Sequence, residues 1–229
     1  GMYTPLNPES MSDIKALNAS YESLACEMTA EHIAFDIGDE RIMNRHGSIE
    51  DSVLKIGNAR YTCVVLPQSP SWRSSTIELL ERFNGRVFVL GEPAGRIDGK
   101  SVDQFSAFCG RDSVSVISDN PADAVKEICG NTERQVSVKN SDGSEARNII
   151  VNHRRDGAAH IVFMSNTSKD AASEVTLSVN ALGGAVELDP VTGLAYRYHS
   201  ESDGTKTIIK TVLHPAGSRI FLVDQTQTS

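Results

Sequence analysis

Hydrophobic positions follow two different rules along the chain. In the first part, short apolar runs alternate with stripes at helical spacing. Tyr61–Leu66 is a continuous apolar run and predicts a strand buried on both faces. Ser69 and Pro70 then read as the N-cap and first residue of a helix, with Trp72, Thr76, Leu79, Leu80 and Phe83 on its apolar stripe. Gly85 is expected to end that helix in the left-handed conformation. Arg86–Leu90 predicts a second strand, Ser101 caps a short helix carrying Val102, Phe105 and Phe108 that stops at Gly110, and Val114–Ile117 is a third strand. Asn120 and Pro121 start a helix with Ala124, Val125 and Ile128 on one face, ended by Gly130. Upstream, Leu17, Tyr21, Leu24 and Met28 mark an amphipathic helix, and Ile33–Ile37 reads as a further strand. Glu50 and Asp51 form a solvated loop edge before a strand at Val53–Ile56. Strands alternating with helices predict a parallel sheet covered on both faces, so residues 10–131 are expected to form a flavodoxin-like α/β domain.

Past Asn131 the period drops to two. Val175, Leu177 and Val179 alternate with Thr176 and Ser178, as in a half-buried strand. Asn148–Arg155 and Ala158–Met164 flank Asp156-Gly157, a hairpin signal, and Asp203-Gly204 likewise separates Ala195–Ser200 from Thr205–Leu213. Gly217 precedes the apolar Ile220–Val223, and Asp189-Pro190-Val191-Thr192-Gly193 has the chemistry of a turn. This spacing predicts an antiparallel β-sandwich of about eight strands over residues 133–224. No internal repeat is visible, and the polar ends, Gly1–Pro8 and Gln225–Ser229, are expected to fray.

Composition narrows the partners. Acidic residues outnumber basic ones, 30 to 22, for a net charge of −8, which argues against nucleic acid. The excess is concentrated in residues 1–132 (net −7) and nearly absent from 133–229 (net −1). No run approaches the roughly 20 apolar residues of a membrane span, and no secretory signal pattern opens the chain. Gly1 ahead of Met2 reads as a tag remnant, which leaves open what precedes Met2. Cys26, Cys63, Cys109 and Cys129 match no zinc spacing and sit in apolar patterns, so they are expected to be buried thiols in a reducing, cytoplasmic compartment.

Catalytic chemistry is sought first at the carboxyl ends of the strands. There Val87-Phe88-Val89-Leu90 runs into Gly91-Glu92-Pro93-Ala94-Gly95, the form of a nucleophile elbow. The stretch resembles the class I glutamine amidotransferases, whose elbow reads G-x-C-x-G, and Val64-Val65-Leu66-Pro67 resembles that family's earlier strand and turn. Gly91 and Gly95 match, but Pro93 stands where the nucleophile should be, and its ring offers no acidic proton to lose and no thiolate. Cys63 lies inside a strand, and nothing sets His32 or His46 beside a thiol. No nucleotide loop follows the glycines. Asp36, Asp39 and Glu40 form a carboxylate cluster, read as the start of a short helix through Ile42 and Met43 rather than as a metal or acid–base site. His153-Arg154-Arg155 reads as a cationic solvent face on an edge strand rather than an anion or sugar contact. The sequons at Asn18 and Asn166 read as chance matches. No catalytic residue, metal ligand or cofactor is assigned.

Taken in order, the pieces resemble the non-catalytic C-terminal region of large glycoside hydrolases, in particular the α-L-rhamnosidase-like family 106, with the family 42 β-galactosidases a more distant parallel. Four stretches carry the likeness: Ile33-Ala34-Phe35-Asp36-Ile37 through Arg41-Ile42, Tyr61 to Pro67, Asn152-His153-Arg154-Arg155 with Ile161 to Ser168, and Glu187 to Gly193, with Leu188 where the family commonly has tryptophan. The resemblance implies an amidotransferase-like domain lacking its nucleophile beside β-sandwich domains. It places the hydrolytic carboxylates in an upstream (β/α)8 barrel, which typically takes about 250 residues and so does not fit within this chain. The expected role is therefore packing, self-association or sugar contact, with carbohydrate or an upstream barrel as partner. Tyr196 and Tyr198, on one strand face, and Trp72 are the candidate sugar-binding aromatics. A stand-alone hydrolase or amidotransferase-like enzyme, or a free-standing carbohydrate-binding module, is the alternative.

Overall fold

The computed structural model describes residues 8–101 and 103–224. It mixes helices with mostly antiparallel sheets, and the chain divides into two compact units. The first holds residues up to Ala25 together with Asp36–Thr132; the second holds Cys26–Phe35 and the residues from Glu133 onward. Helix α1, Pro8–Ala30, thus contributes its last residues to the second unit. Among the described residues no helix is long and apolar enough to cross a membrane.

In the first unit, α2 (Glu40–His46) leads into an antiparallel meander of β1 (Gly47–Glu50), β2 (Val53–Ile56) and β3 (Ala59–Tyr61). A parallel sheet follows, in the order β4 (Cys63–Leu66), β5 (Arg86–Leu90) and β8 (Val114–Ile117). Helix α3 (Ser74–Glu81) connects β4 to β5. Between β5 and β8 come β6 (Arg96–Ile97), β7 (Lys100–Ser101) and α4 (Gln104–Cys109), and α5 (Pro121–Asn131) follows β8. Leu66, Ile77, Leu80, Phe83, Val87 and Phe105 anchor the apolar cluster between sheet and helices.

Several local expectations change. Tyr61–Leu66 is not one strand: the chain breaks at Thr62, so that β3 pairs antiparallel with β2 and β4 pairs parallel with β5. Ile33–Ile37 forms no strand and is mostly exposed. The sheet is not covered on both faces throughout, because Val116 on the edge strand β8 is 48% exposed. Helix α3 starts at Ser74, not Pro70, and its N-cap Arg73 makes no side-chain cap bond. Its first-turn groups bond instead to remote carboxylates: Glu40 accepts from the Arg73 N–H at 2.9 Å and the Thr76 hydroxyl at 2.6 Å, and Asp98 accepts from the Ser74 N–H at 3.2 Å. The Ser69 hydroxyl turns onto the Ser71 carbonyl at 2.8 Å. Gly85 is not left-handed; it is required because an added Cβ would lie 2.4 Å from the Thr62 carbonyl oxygen. Ser101 belongs to β7, Asp103 is the N-cap of α4, and Val102 lies outside the described residues, as do the chain ends but for Pro8. Asn120 does cap α5, accepting from Ala122 and Asp123 N–H at 3.1 and 3.2 Å, and the helix continues through Gly130.

The second unit has nine strands among its described residues. One sheet runs β10 (Ile149–Asp156), β11 (Ala159–Asn166), β17 (Ser218–Asp224), β13 (Gly184–Leu188), β14 (Ala195–Tyr198); the other runs β15 (Glu201–Ser202), β16 (Thr207–Leu213), β12 (Ser173–Val179), β9 (Val136–Asn140). All pairings are antiparallel. Val175, Leu177 and Val179 point inward with Ile149, Val162, Met164 and Phe221, so both sheets bury one apolar cluster. The β10–β11 turn is Gly157-Ala158, one residue later than expected, with Gly157 at φ 57° and Asp156 paired to Ala159. Ala195–Ser200 does not fold back on Thr205–Leu213. β14 pairs with β13, the chain changes sheets after Tyr198, and of the expected hairpin only the short β15 pairs with β16. The Asp189 turn forms as its composition requires: its carboxylate accepts from the Val191 N–H at 2.8 Å, and Gly193 sits at φ 70°.

Candidate functional site

Three parallel strand ends converge on Gly91. Its N–H donates to the Ile117 carbonyl at 2.9 Å, its φ is 66°, and a Cβ there would lie 2.6 Å from Gln68 Nε2 and 3.0 Å from Asp119 Cβ. Both the close approach and the left-handed backbone call for glycine. Glu92 and Pro93 are exposed beyond it. An elbow passes from strand directly into helix. Here the chain after Gly95 enters the β6–β7 hairpin, and the next helix starts only at Gln104. The rim therefore has the glycines of an elbow, but neither its helix nor its nucleophile.

The thiols do not replace it. No disulfide forms; Cys26 is exposed, contrary to expectation, while Cys63, Cys109 and Cys129 are half-buried. Burial pushes the Cys63 thiol up to about 11, outweighing the nearby Arg86, and raises Cys109 as well, so both stay protonated at neutral pH. The carboxylate cluster is likewise engaged in structure. Asp39 caps α2 through the Arg41 and Ile42 N–H groups at 2.8 and 3.0 Å, bonds that hold it below the usual carboxylate range. Asp36 accepts from the Tyr61 hydroxyl at 2.7 Å; burial, then this bond, push that phenol up to about 12. Among the described residues no three His, Cys, Asp or Glu side chains gather into a metal-binding group.

The aromatic candidates fall in two places. Trp72 precedes α3 instead of lying on it, bridges to Ile97 and packs on the first unit's core. Tyr198 packs edge-on to Phe221 at 4.9 Å, lies beneath the Arg219 guanidinium at 5.8 Å, and donates its hydroxyl to Thr211 at 3.0 Å. It lines a recess of about 370 Å³ with Glu174, Thr176, Lys210 and Arg219. Both cations there have carboxylate partners: Arg219 pairs with Glu187 at 2.8 Å and Lys210 with Glu201 at 3.0 Å. Tyr196, two residues earlier on the same strand, is 49% exposed. Asn166 is buried, its amide donating to the carbonyls of Ala171, Leu213 and His214, so that sequon presents nothing to a glycan.

Two polar clusters were not foreseen. His32, in the left-handed region at φ 56°, places Nε2 3.0 Å from the Ile149 carbonyl oxygen. Its Nδ1 faces Glu145 Oε2 at 3.3 Å and the Val138 N–H at 3.4 Å. Glu145 Oε1 pairs with Arg134 at 2.8 Å. Arg147 grips Glu27 and Glu31 at 2.8 and 2.7 Å, so the end of α1 is tied to the sheet. The second cluster pairs His153 with His160, Nε2 to Nδ1 at 3.0 Å, rings stacked with centroids 5.0 Å apart. His153 faces inward and is half-buried, and Arg154 and Arg155, though exposed, point to opposite sides of the strand, so the expected cationic face does not form. The pair was legible in principle, because strands flanking a two-residue turn set His153 and His160 diagonally opposite.

No protein-family model matches the sequence, and no curated protein is detectably similar to it. Its fold, in contrast, is shared with parts of glycoside hydrolases. A rhamnosidase from Novosphingobium sp. PP1Y superposes on 85% of this chain with a TM-score of 0.66 and 16% identity, over 20% of its own length. Alpha-L-fucosidase isoenzyme 2 from Paenibacillus thiaminolyticus matches 90% of the chain and 45% of its own, at TM-score 0.57 and 10% identity. A beta-galactosidase from Bacillus circulans sp. alkalophilus matches 90% and 37%, at TM-score 0.51 and 9% identity. The chain thus spans about a fifth of the rhamnosidase and under half of the other two.

Proposed function

We propose that this chain is a non-catalytic accessory region of a glycoside hydrolase of the family 106 kind, working beside a separate catalytic barrel. One observation carries the reading: nearly the whole chain fits a minor part of three carbohydrate-active enzymes. The first unit is then an amidotransferase-like, flavodoxin-like domain, supported by three parallel strands joined through helices and by the glycine turn after the middle strand. The second is a β-sandwich, supported by two antiparallel sheets around one core. Pro93 and the protonated thiols argue against acyl transfer at the strand ends. The module packs against or shapes a neighbouring active site, or self-associates, and Tyr196 is the aromatic ring left open for sugar contact.

The test is to assay the purified chain against aryl α-L-rhamnosides, fucosides and galactosides, and to repeat the assay with the coding sequence upstream of Met2 restored. The reading requires silence from the chain alone and hydrolysis from the longer protein. Turnover by the isolated chain, or a longer protein with no glycosidase activity, overturns it.

A further inference from the structure

We propose that His153 and His160 form a two-imidazole site for a divalent transition-metal ion of the zinc, nickel and copper class. The β10–β11 register pairs His153 with Val162 and Arg155 with His160, which makes the two histidines diagonal neighbours on one face of the hairpin. Their facing nitrogens are already 3.0 Å apart. Two nitrogens bound to one ion at about 2.0–2.1 Å lie about 2.9–3.4 Å apart for right-angle to tetrahedral geometry. The nitrogen separation therefore already suits a shared ion, and the rings need only turn their lone pairs toward it.

Burial first, and then the charges of His160 and Arg155, lower His153 to about 4; burial and Arg155 lower His160 as well. Burial thus favours the neutral imidazole, the form that binds metal. One proton occupies the hydrogen bond between the rings, and on ligation it moves to the outer nitrogen of the same ring, so none is released. No carboxylate is among the groups that shift either ring, and a purely imidazole donor set selects the later transition metals over calcium or magnesium. With two protein ligands, the ion keeps positions open for water or an external donor. The nearby Arg155 weakens the site without blocking it.

The experiment is calorimetric titration of the full chain with zinc chloride at pH 7.5, with a melting curve run in parallel. One zinc per chain is expected, with a raised melting temperature and no response to magnesium chloride. His153→Gln and, separately, His160→Gln each lower the affinity at least tenfold, while His199→Gln on an exposed loop leaves it unchanged. Should His160→Gln fail to fold, His153→Gln on the edge strand still decides. Long-range 1H–15N spectra of the unaltered protein add a readout without substitution, in which zinc must shift His153 Nε2 and His160 Nδ1. No binding at millimolar zinc, equal binding by His153→Gln, or imidazole signals that do not move overturns the proposal.

Discussion

His32 and Glu145 meet inside the second unit, Nδ1 to Oε2 at 3.3 Å, with the imidazole side chain fully buried and the carboxylate nearly so. Glu145 Oε2 has no other partner, and Oε1 is held by Arg134. Removing the carboxylate takes away the charge partner of the Arg134 guanidinium beside a buried imidazole. Glu145→Ala is expected to lower the stability of this unit by about 3 kcal/mol, the scale for breaking a buried pair. Glu145→Gln, which keeps a hydrogen-bonding oxygen, costs less. Urea unfolding of the three proteins at pH 7 checks the order, and equal midpoints would show the contact to be energetically idle.

Acid should unfold this unit through the histidine pair. His153 is lowered from an ordinary 6.5 to about 4 by burial, His160 and Arg155. Between those values the unfolded chain binds a proton that the native state refuses, so stability falls as pH falls through the window and is complete above about 6.5. His153→Gln flattens the slope of unfolding free energy against pH between 4.5 and 6.5. Glu145 acts lower: burial raises it, but hydrogen bonds and charges from His32 and Arg134 outweigh that, so its contribution is lost only as pH falls below the ordinary carboxylate range. A slope unchanged by His153→Gln would remove the pair as its source.

Gly85 gives a steric prediction. A Cβ there meets the Thr62 carbonyl oxygen at 2.4 Å, and backbone cannot rotate aside as a side chain can. Gly85→Ala is expected to cost roughly 3 kcal/mol, the upper end for overpacking. Gly57→Ala has open space and pays only the left-handed penalty at φ 60°, roughly 1–2 kcal/mol. Reversal of that order in thermal melts would contradict the packing described around Thr62.

How much of this was legible depends on where each partner lies in the chain. Helix α5 was, because its cap Asn120 and first residue Pro121 are adjacent. The start of α3 was not, because its carboxylates come from Glu40 and Asp98, remote in sequence and invisible to a local pattern. Alternation found Val175, Leu177 and Val179, yet Ala195–Ser200 looked like one arm of a hairpin, since nothing local marks a change of sheet after Tyr198. At the strand ends, Gly91 was foreseen as the first glycine of an elbow, but its left-handed backbone and the hairpin that displaces the helix were not. The His32 clasp depends on contacts across more than a hundred residues, beyond any motif.

Thiol reactivity bears most directly on function. A working nucleophile at the strand ends would be a depressed-pKa thiolate; burial instead drives Cys63 to about 11 and raises Cys109. Cys26, exposed on α1, has the better access. Iodoacetamide at pH 7.5, followed by peptide mass spectrometry, should therefore modify Cys26 first, with Cys63 at least tenfold slower. Below the thiol pKa, each unit of upward shift removes about tenfold of thiolate. Cys63 should catch up only as the pH approaches 11 or the fold is denatured. Rapid labelling of Cys63 in the native protein at pH 7.5 would mean a reactive thiolate at the amino end of β4, and the accessory reading would then give way to a catalytic one.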